Sequence, residues 1–223
     1  MQLRTCFRYC AHAFEREDAM AEQILGKYKS RRNSASLVQT DAGRVVIKTF
    51  AEEASFQKEL QIYRLLQNKD LPCAKVISAD NKTLVLSELP GHSLVECLEQ
   101  QERTGQPLWE AWEKLVAWLT AFQRHTGFTM TDVNLRNFLY DEKTKMLYGL
   151  DFEECSVCSM IVPAASVAAY IRTYSPENTP LKQDISKYVL NMFAQSCGLE
   201  IDILFQESRR QETKILERRK NKI

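Results

Sequence analysis

The most constraining feature of the 223-residue sequence is a β-hairpin pattern near its middle, with polar side chains at both open ends. Two apolar and aromatic runs, residues 138–140 and 146–150, flank the polar segment 141–145. This pattern predicts two antiparallel strands joined by a short turn. Because the strands of a hairpin lie side by side, the residues before the first strand should meet those after the second. The segment around Asp132 is therefore expected to lie close to Asp151.

The same segments place Asp132, Asn137 and Asp151 at a spacing that suits phosphoryl transfer. In kinases an aspartate lies near the acceptor hydroxyl, an asparagine five residues later holds a metal ion, and an aspartate beyond a hairpin chelates Mg²⁺. Glu153 and Glu154 add two carboxylates beside Asp151, and a bound cation would offset their repulsion. Taken singly, each residue is more often structural, as a turn cap, a loop amide or a strand end. The interpretation therefore depends on the whole set.

A second pattern upstream fits the other half of a nucleotide site. Residues 44–50 are a β-branched run that contains Lys48, and the turn at 41–43 predicts a hairpin with residues 37–39. Apolar residues at helical spacing then predict a helix from residue 52 to residue 67.

Glu59 lies beside the apolar stripe of that predicted helix, where its carboxylate can reach Lys48. A lysine held in this way would contact the α and β phosphates of a nucleotide, as in kinases. Glu52 and Glu53 are the alternative partners. The structural alternative is a lysine that simply extends from the end of a strand into solvent.

Taken in order, these motifs resemble those of small bacterial-type members of the protein-kinase-like superfamily. The resemblance is to the branch that contains aminoglycoside phosphotransferases, choline kinases, RIO-type kinases and lipopolysaccharide kinases, and it spans residues 24–174. The run Asp151-Phe152-Glu153 is closer to this branch than to ordinary protein kinases, which carry Phe-Gly after the aspartate.

The resemblance implies an α+β, two-lobed kinase-like fold, with a small antiparallel-sheet N-lobe containing one helix and a compact, mostly helical C-lobe. It also implies an ATP- and Mg²⁺-dependent phosphotransferase. Asp132 would orient an acceptor hydroxyl and take its proton, Lys48 and its partner Glu59 would engage ATP, and Asn137 and Asp151 would hold Mg²⁺.

The resemblance divides the chain into four parts. Residues 1–20 form an extension, residues 21–88 a nucleotide-binding N-lobe and residues 89–207 a catalytic C-lobe. Residues 208–223 form a basic tail, read either as a solvated helix that frays or as a surface for an anionic partner.

Two further sets of nucleotide contacts follow from the resemblance. At the junction of the lobes, the carbonyl of Glu88 and the N–H of Leu89 would bind adenine, although the sequence there is also typical of an ordinary turn. The stretch 26–36 replaces the G-x-G-x-x-G loop, and its Ser34 and Ser36 would cover phosphates together with basic side chains. A solvated basic turn is the alternative.

The acceptor is less well defined by the sequence than the nucleotide. No A-P-E motif follows Asp151, so the peptide platform of protein kinases is expected to be missing. This favours a small-molecule, sugar or lipid-linked acceptor, or an atypical protein target. Arg136 is either a surface charge or a phosphate contact. The rival functions are a catalytically inactive kinase-like scaffold and an adaptor that binds anions through its basic segments.

Composition places limits on partners and compartment. A net charge of +1 gives the whole molecule no strong attraction to nucleic acid. Seven cysteines, with no apolar signal segment or membrane-spanning run, favour a reducing cytoplasm. Four of them, Cys6, Cys10, Cys155 and Cys158, could form a zinc site, but free thiols are the preferred interpretation.

Overall fold

The turn Asp41-Ala42 closes a β-hairpin, as the sequence predicts, and this hairpin belongs to an antiparallel sheet. The computed structural model describes residues 23–28 and 32–221. Within them the sheet has five strands: β1 (Gln23–Tyr28), β2 (Ser34–Thr40), β3 (Gly43–Thr49), β4 (Val76–Asp80) and β5 (Thr83–Ser87). Their order is β1-β2-β3-β5-β4, which places β3 at the centre of the sheet.

One helix, α1 (Glu53–Leu66), connects β3 to β4, and its bounds lie within one residue of those predicted. Its apolar face is fully buried and packs against β5 and the later helix α3 (Trp109–Thr126). Glu59 is part of this buried face, although the sequence pattern places it only at the edge. The helix thereby carries a carboxylate into the interior, where an unpaired charge would be strongly unfavourable.

The chain after β5 is mostly helical, so the described residues form an α+β fold with six α-helices. The remaining elements are β6 (His92–Ser93), α2 (Leu94–Thr104), β7 (Thr129–Met130), a 3₁₀ turn (Leu135–Asn137), β8 (Phe138–Asp141), β9 (Met146–Gly149), β10 (Cys155–Ser156), α4 (Ile161–Thr173), α5 (Pro180–Cys197) and α6 (Ile201–Lys220). Strands β6, β8 and β9 form one small sheet, and β7 pairs with β10 in another. The predicted hairpin is present as β8 and β9.

Helix ends follow local chemistry that is readable in the sequence. Ser93 caps α2 and forms a capping box with Glu96, which satisfies backbone N–H groups at the helix start. Thr179 caps α5 with Pro180 in its first turn, and Gly198 ends that helix at φ 64°. All three boundaries therefore fall at residue types that favour the start or the end of a helix.

The predicted boundary between a C-lobe ending at 207 and a separate basic tail lies inside α6, which continues unbroken to Lys220. Leu204, Ser208 and Ile215 are buried along one side of this helix, which packs against α4. Within residues 208–220 the side chains other than Ser208 and Ile215 are exposed or half-buried, so the expected solvated helix is present but is docked along one side. The predicted extension 1–20 lies outside the described residues.

Among the described residues, no helix combines the length and the apolar character needed to cross a membrane.

Candidate functional site

Lys48 on β3 is the centre of a small charged cluster. Its Nζ donates to Oε2 of Glu59 at 2.7 Å and to Oδ1 of Asp151 at 2.6 Å. The predicted pair with Glu59 is therefore confirmed, and the alternative partners Glu52 and Glu53 are exposed on the surface. Asp151 lies 103 residues away in sequence, so this second contact joins the sheet to the loop after β9.

The electrostatics of the cluster are unbalanced, because one ammonium faces two carboxylates. Glu59 is only 1 % exposed, and its Oε1 has no hydrogen-bond partner among the described residues. Burial, only partly offset by the charge of Lys48, raises the pKa of Glu59 to about 7. Burial alone would lower the pKa of Lys48, but Glu59 and Asp151 together raise it above its ordinary value.

Asp132 lies in a tight loop between β7 and the 3₁₀ turn. Its Oδ1 accepts a hydrogen bond from the Asn134 N–H at 3.3 Å, and its carbonyl accepts one from Asn137 Nδ2 at 3.1 Å. Burial raises the pKa of Asp132; the Asn134 N–H lowers it, and the negative charge of Asp151 raises it further. Asp132 and Asn137 are thus joined directly.

The hairpin brings this loop to Asp151. Leu150 N–H donates to the carbonyl of Asn137 at 2.8 Å, which makes the residue before Asp151 a direct neighbour of the loop. Asp151 adopts a left-handed conformation with φ 61°, which is uncommon for a residue other than glycine. Such strained backbone is concentrated at functional sites. All four predicted residues Lys48, Asp132, Asn137 and Asp151 therefore belong to one cluster.

Aromatic packing holds the residue after Asp151 in place. The ring of Phe152 is fully buried and lies 5.0 Å from Tyr63 of α1, measured between ring centroids. It also stacks against Trp118 and Phe122 of α3 at 6.1 and 5.6 Å. Helices from two parts of the fold thus clamp the backbone next to the Asp151 carboxylate.

Glu153 and Glu154 are each paired with a side chain near the start of β2. Asn33 Nδ2 donates to Glu153 Oε2 at 2.8 Å, and the guanidinium of Arg32 lies 3.0 Å from Glu154 Oε1. The sequence predicts repulsion among neighbouring carboxylates that a cation would offset. In the structure, protein donors engage these two glutamates, and Asp151 is the carboxylate of the three that contacts Lys48.

The metal prediction concerns Asn137 and Asp151. Among the described residues, no three His, Cys, Asp or Glu side chains are arranged to hold a metal ion. Mg²⁺ needs fewer protein ligands where phosphate oxygens and water complete its shell. Asn137 engages its amide nitrogen with Asp132, which leaves the oxygen as its acceptor, and the Asp151 side chain is 39 % exposed. One amide oxygen and one accessible carboxylate fit such a site.

The four cysteines of the zinc alternative are only partly described. Cys155 and Cys158 form no disulfide among the described residues, and Cys6 and Cys10 lie outside them, so the preference for free thiols stays a prediction.

The predicted phosphate-covering stretch 26–36 is only partly a loop. Residues 26–28 belong to β1, and residues 29–31 lie outside the described residues. Ser34 and Ser36 lie within β2, opposite Thr49 and Ile47 of β3. This corrects the expectation of serines in a loop, because both have backbones in the sheet ladder; their role as phosphate contacts stays a prediction.

Glu88 and Leu89 lie in the connection between β5 and β6, as expected for the junction after the sheet. The Glu88 carboxylate forms an ion pair with Arg44 at 2.8 Å. Gly91 closes this connection with φ 103°, and a Cβ there would lie 2.5 Å from the carbonyl oxygen of Tyr140. The turn therefore requires glycine, and adenine contact by the backbone here stays a prediction.

Sequence reasoning missed Tyr174, which lies just after α4. Its hydroxyl donates to Asn134 Oδ1 at 2.7 Å, within the loop that holds Asp132. No local signal marks this tyrosine, because its partner is 40 residues away and the contact exists only in the folded chain.

A comparison with models of known protein families found no family that matches the chain, and a comparison with curated proteins found no match either. The function is therefore argued from the geometry of the site.

Proposed function

We propose that this protein is an ATP- and Mg²⁺-dependent phosphotransferase that transfers the γ-phosphoryl group of ATP to a hydroxyl acceptor. The observation that carries the proposal is the double ion pair of Lys48 with Glu59 and Asp151. The lysine on the central strand, the glutamate on the helix between β3 and β4, and the aspartate after a hairpin would be the counterparts of the lysine, glutamate and metal-binding aspartate of kinases.

The arrangement of elements supports a two-lobed, kinase-like interpretation of the fold. The five-stranded sheet with α1 would be the small lobe, and the helical remainder would be the large one. Lys48 and Asp151 would then face each other across the junction, with the Glu88 and Leu89 backbone at its edge as the adenine contact.

Lys48 would bind phosphate oxygens and offset their negative charge. Its pKa is raised by the two carboxylates, so it carries a full positive charge at neutral pH. Glu59 would fix the ammonium in place, because it is buried and approaches from the helix side. Such preorganised charge supplies much of the acceleration of phosphoryl transfer.

Asp132 would orient the acceptor hydroxyl and accept its proton. Asp132 accepts two hydrogen bonds, from the Asn134 N–H and from Asn137 Nδ2, and these hold its loop in a single geometry. A raised pKa makes this carboxylate a better proton acceptor than an ordinary aspartate, provided that it is ionised at the working pH. Asn137 and Asp151 would hold Mg²⁺, which neutralises charge on the phosphates.

Calorimetric titration with ATP tests the nucleotide site before any acceptor is known. We expect wild-type protein to bind ATP only with Mg²⁺, and Asp151→Asn to lower this affinity by about ten-fold or more. Asp184→Asn, an exposed aspartate on α5, is the matched control and should bind as wild type does. Absence of ATP binding in the wild type would refute the proposal.

Asp132→Asn separates catalysis from binding. Loss of a general base lowers rates by about 10² to 10⁴. ATP affinity should change by less than about two-fold, because Asp132 contacts the predicted Mg²⁺ ligand Asn137 through its backbone carbonyl, which the substitution keeps. The measurement is ADP release with a panel of hydroxyl compounds. ATP binding without turnover in the wild type across the panel would instead favour a nucleotide-binding scaffold.

A further inference from the structure

Two arginines from distant parts of the chain each contact the ring of one tyrosine beside the Asp132 loop. The guanidinium carbon of Arg136 lies 5.9 Å from the ring centroid of Tyr174, and that of Arg219 lies 5.5 Å from it. Arg136 belongs to the 3₁₀ turn after Asp132, while Arg219 belongs to the last turn of α6. We call Arg136, Arg219 and Tyr174 the arginine cluster.

The arginine cluster is connected to Asp132 by two hydrogen bonds. The Tyr174 hydroxyl donates to Asn134 Oδ1 at 2.7 Å, and the Asn134 N–H donates to Asp132 Oδ1 at 3.3 Å. Burial raises the pKa of Tyr174, Arg136 and Arg219 lower it, and Asp132 raises it. The charges of both arginines and of Asp132 therefore act on the same tyrosine. The two positive charges thus lie close to the proposed position of the acceptor hydroxyl.

The backbone under the arginine cluster is held rigidly. Lys182 is 1 % exposed, and its ammonium donates to the carbonyl of Tyr174 at 2.9 Å and also to that of Pro176. Arg219 donates to the carbonyl of Thr173, the last residue of α4. The position of Tyr174 is thus fixed from two sides, as expected for a preformed binding surface.

The positive charge of the arginine cluster is largely uncompensated. Arg136 is exposed, and no salt bridge within the described ranges 23–28 and 32–221 joins it to a carboxylate. Arg219 has one partner, Glu177, at 3.9 Å, and both side chains are about half exposed, so this pair is weak. Arg218 on the same helix turn is exposed and adds a further positive charge.

Packing alone would explain one arginine over a tyrosine, since such stacking is common. It does not explain why a second arginine, from the last turn of α6, contacts the same ring. Through this ring the basic last turn of α6 is connected to the loop of the proposed catalytic aspartate, because Tyr174 donates to Asn134. A planar guanidinium group is well suited to bind a carboxylate or phosphate, and two such groups lie beside this tyrosine.

We infer that the hydroxyl acceptor is a small molecule that carries an anionic group, a carboxylate or a phosphate, and that Arg136 and Arg219 bind this group while the hydroxyl lies at Asp132. This inference rests on the proposed function. In the transfer, the hydroxyl proton passes to Asp132 and the acceptor oxygen bonds to the γ-phosphorus. The bond from that phosphorus to the bridging oxygen breaks, and ADP leaves with those electrons.

The test is calorimetric titration with two probes, inorganic phosphate and acetate, with and without a saturating Mg²⁺ complex of a non-hydrolysable ATP analogue. With the analogue bound, we expect wild-type protein to retain one anion-binding event. Arg136→Gln/Arg219→Gln should weaken it by about ten-fold or more. Stronger binding of phosphate than acetate would indicate a phosphorylated acceptor, and the reverse would indicate a carboxylic acid.

Arg64→Gln/Arg210→Gln is the matched control, because it removes two exposed arginines, from α1 and from the opposite side of α6. Arg136→Gln alone is also measured, since Arg136 is exposed and has no anchoring hydrogen bond from its guanidinium among the described residues. Thermal unfolding checks that Arg219→Gln leaves α6 docked.

Equal anion binding by wild type, the arginine-cluster variants and the control would overturn the inference. Failure of the proposed function gives a different result: the ATP analogue does not bind, while the titrations without nucleotide still compare the arginine-cluster variants with the control. A loss of anion affinity specific to Arg136 and Arg219 would then keep the anion site and reject the kinase assignment.

Discussion

Replacement of Glu59 by glutamine tests the electrostatic balance at the centre of the site. Glu59 is buried, shares one ammonium with Asp151 and has an oxygen with no partner among the described residues. Glu59→Gln keeps the shape of the side chain and an oxygen for Lys48, but removes the titrating group. The difference in stability between the two proteins therefore isolates the ionisation of this carboxyl.

The sign and the size of this stability difference follow from the pKa of Glu59. The pKa of Glu59 rises from 4.5 to about 7 on folding, so the native state binds the proton more tightly than the unfolded state between these values. The free energy of unfolding of the wild type, relative to Glu59→Gln, should fall as pH rises through this window and level off above about pH 7. At about 1.4 kcal/mol per pH unit, the full change is about 3 kcal/mol.

Urea unfolding at pH 5, 6, 7 and 8 measures this difference, and thermal unfolding should show a relative shift of about 6 to 12 °C for a chain of this size. Glu99→Gln, an exposed glutamate on α2, is the control and should show little pH dependence relative to the wild type. A wild-type advantage that grows with pH would refute the reasoning. It would mean that attraction to Lys48 outweighs burial and that the ionised carboxyl is the stable form.

Three substitutions, each measured by urea unfolding, test contacts that stabilise the fold: a close approach, an ion pair and a helix cap. Gly149→Ala should lower the free energy of unfolding by about 2 to 3 kcal/mol, since its Cβ would lie 2.3 Å from the ring of Trp118; an unchanged value would mean that the ring moves freely. Arg172→Ala should remove about 3 kcal/mol by leaving the largely buried Glu212 without its ion pair, and a surface-like change below about 0.5 kcal/mol would contradict this. Ser93→Ala should remove about 1 kcal/mol with the capping box of α2; equal stability would show that water replaces the cap.

Features set by local chemistry could be predicted from the sequence. The turn at Asp41-Ala42, the cap at Thr179 and the end at Gly198 each depend on residues within a few positions of one another. The contact between Lys48 and Glu59 was also predictable, because a strand and the helix that follows it leave few other places for a lysine at that position.

Features that depend on distant partners could not be predicted. Arg32 and Asn33 meet Glu154 and Glu153 across at least 120 residues of sequence, and nothing near any of these residues specifies the pairing. Their polar side chains are equally typical of a solvated loop. The contacts arise only once the sheet and the loop after β9 are placed together.

The docking of helix α6 on α4 could not be predicted for a different reason. Its buried residues Leu204, Ser208 and Ile215 are separated by charged side chains, and one of the three is polar. Its apolar stripe is consequently weak, so the composition suggested a solvated end. Burial here depends on Arg172 of α4, whose guanidinium meets Ser208 and Glu212 and satisfies the polar groups on the helix face.

Helix α1 is connected to the loop after β9 by one charged contact and one aromatic contact, and the two depend on each other. Glu59 and Tyr63 are four residues apart, one helical turn, and they reach the neighbouring residues Asp151, through Lys48, and Phe152. Rotation of α1 by a single residue, about 100°, would turn both side chains away together. The charged contact and the aromatic contact are therefore made or lost together, so the rotational setting of α1 determines both at once.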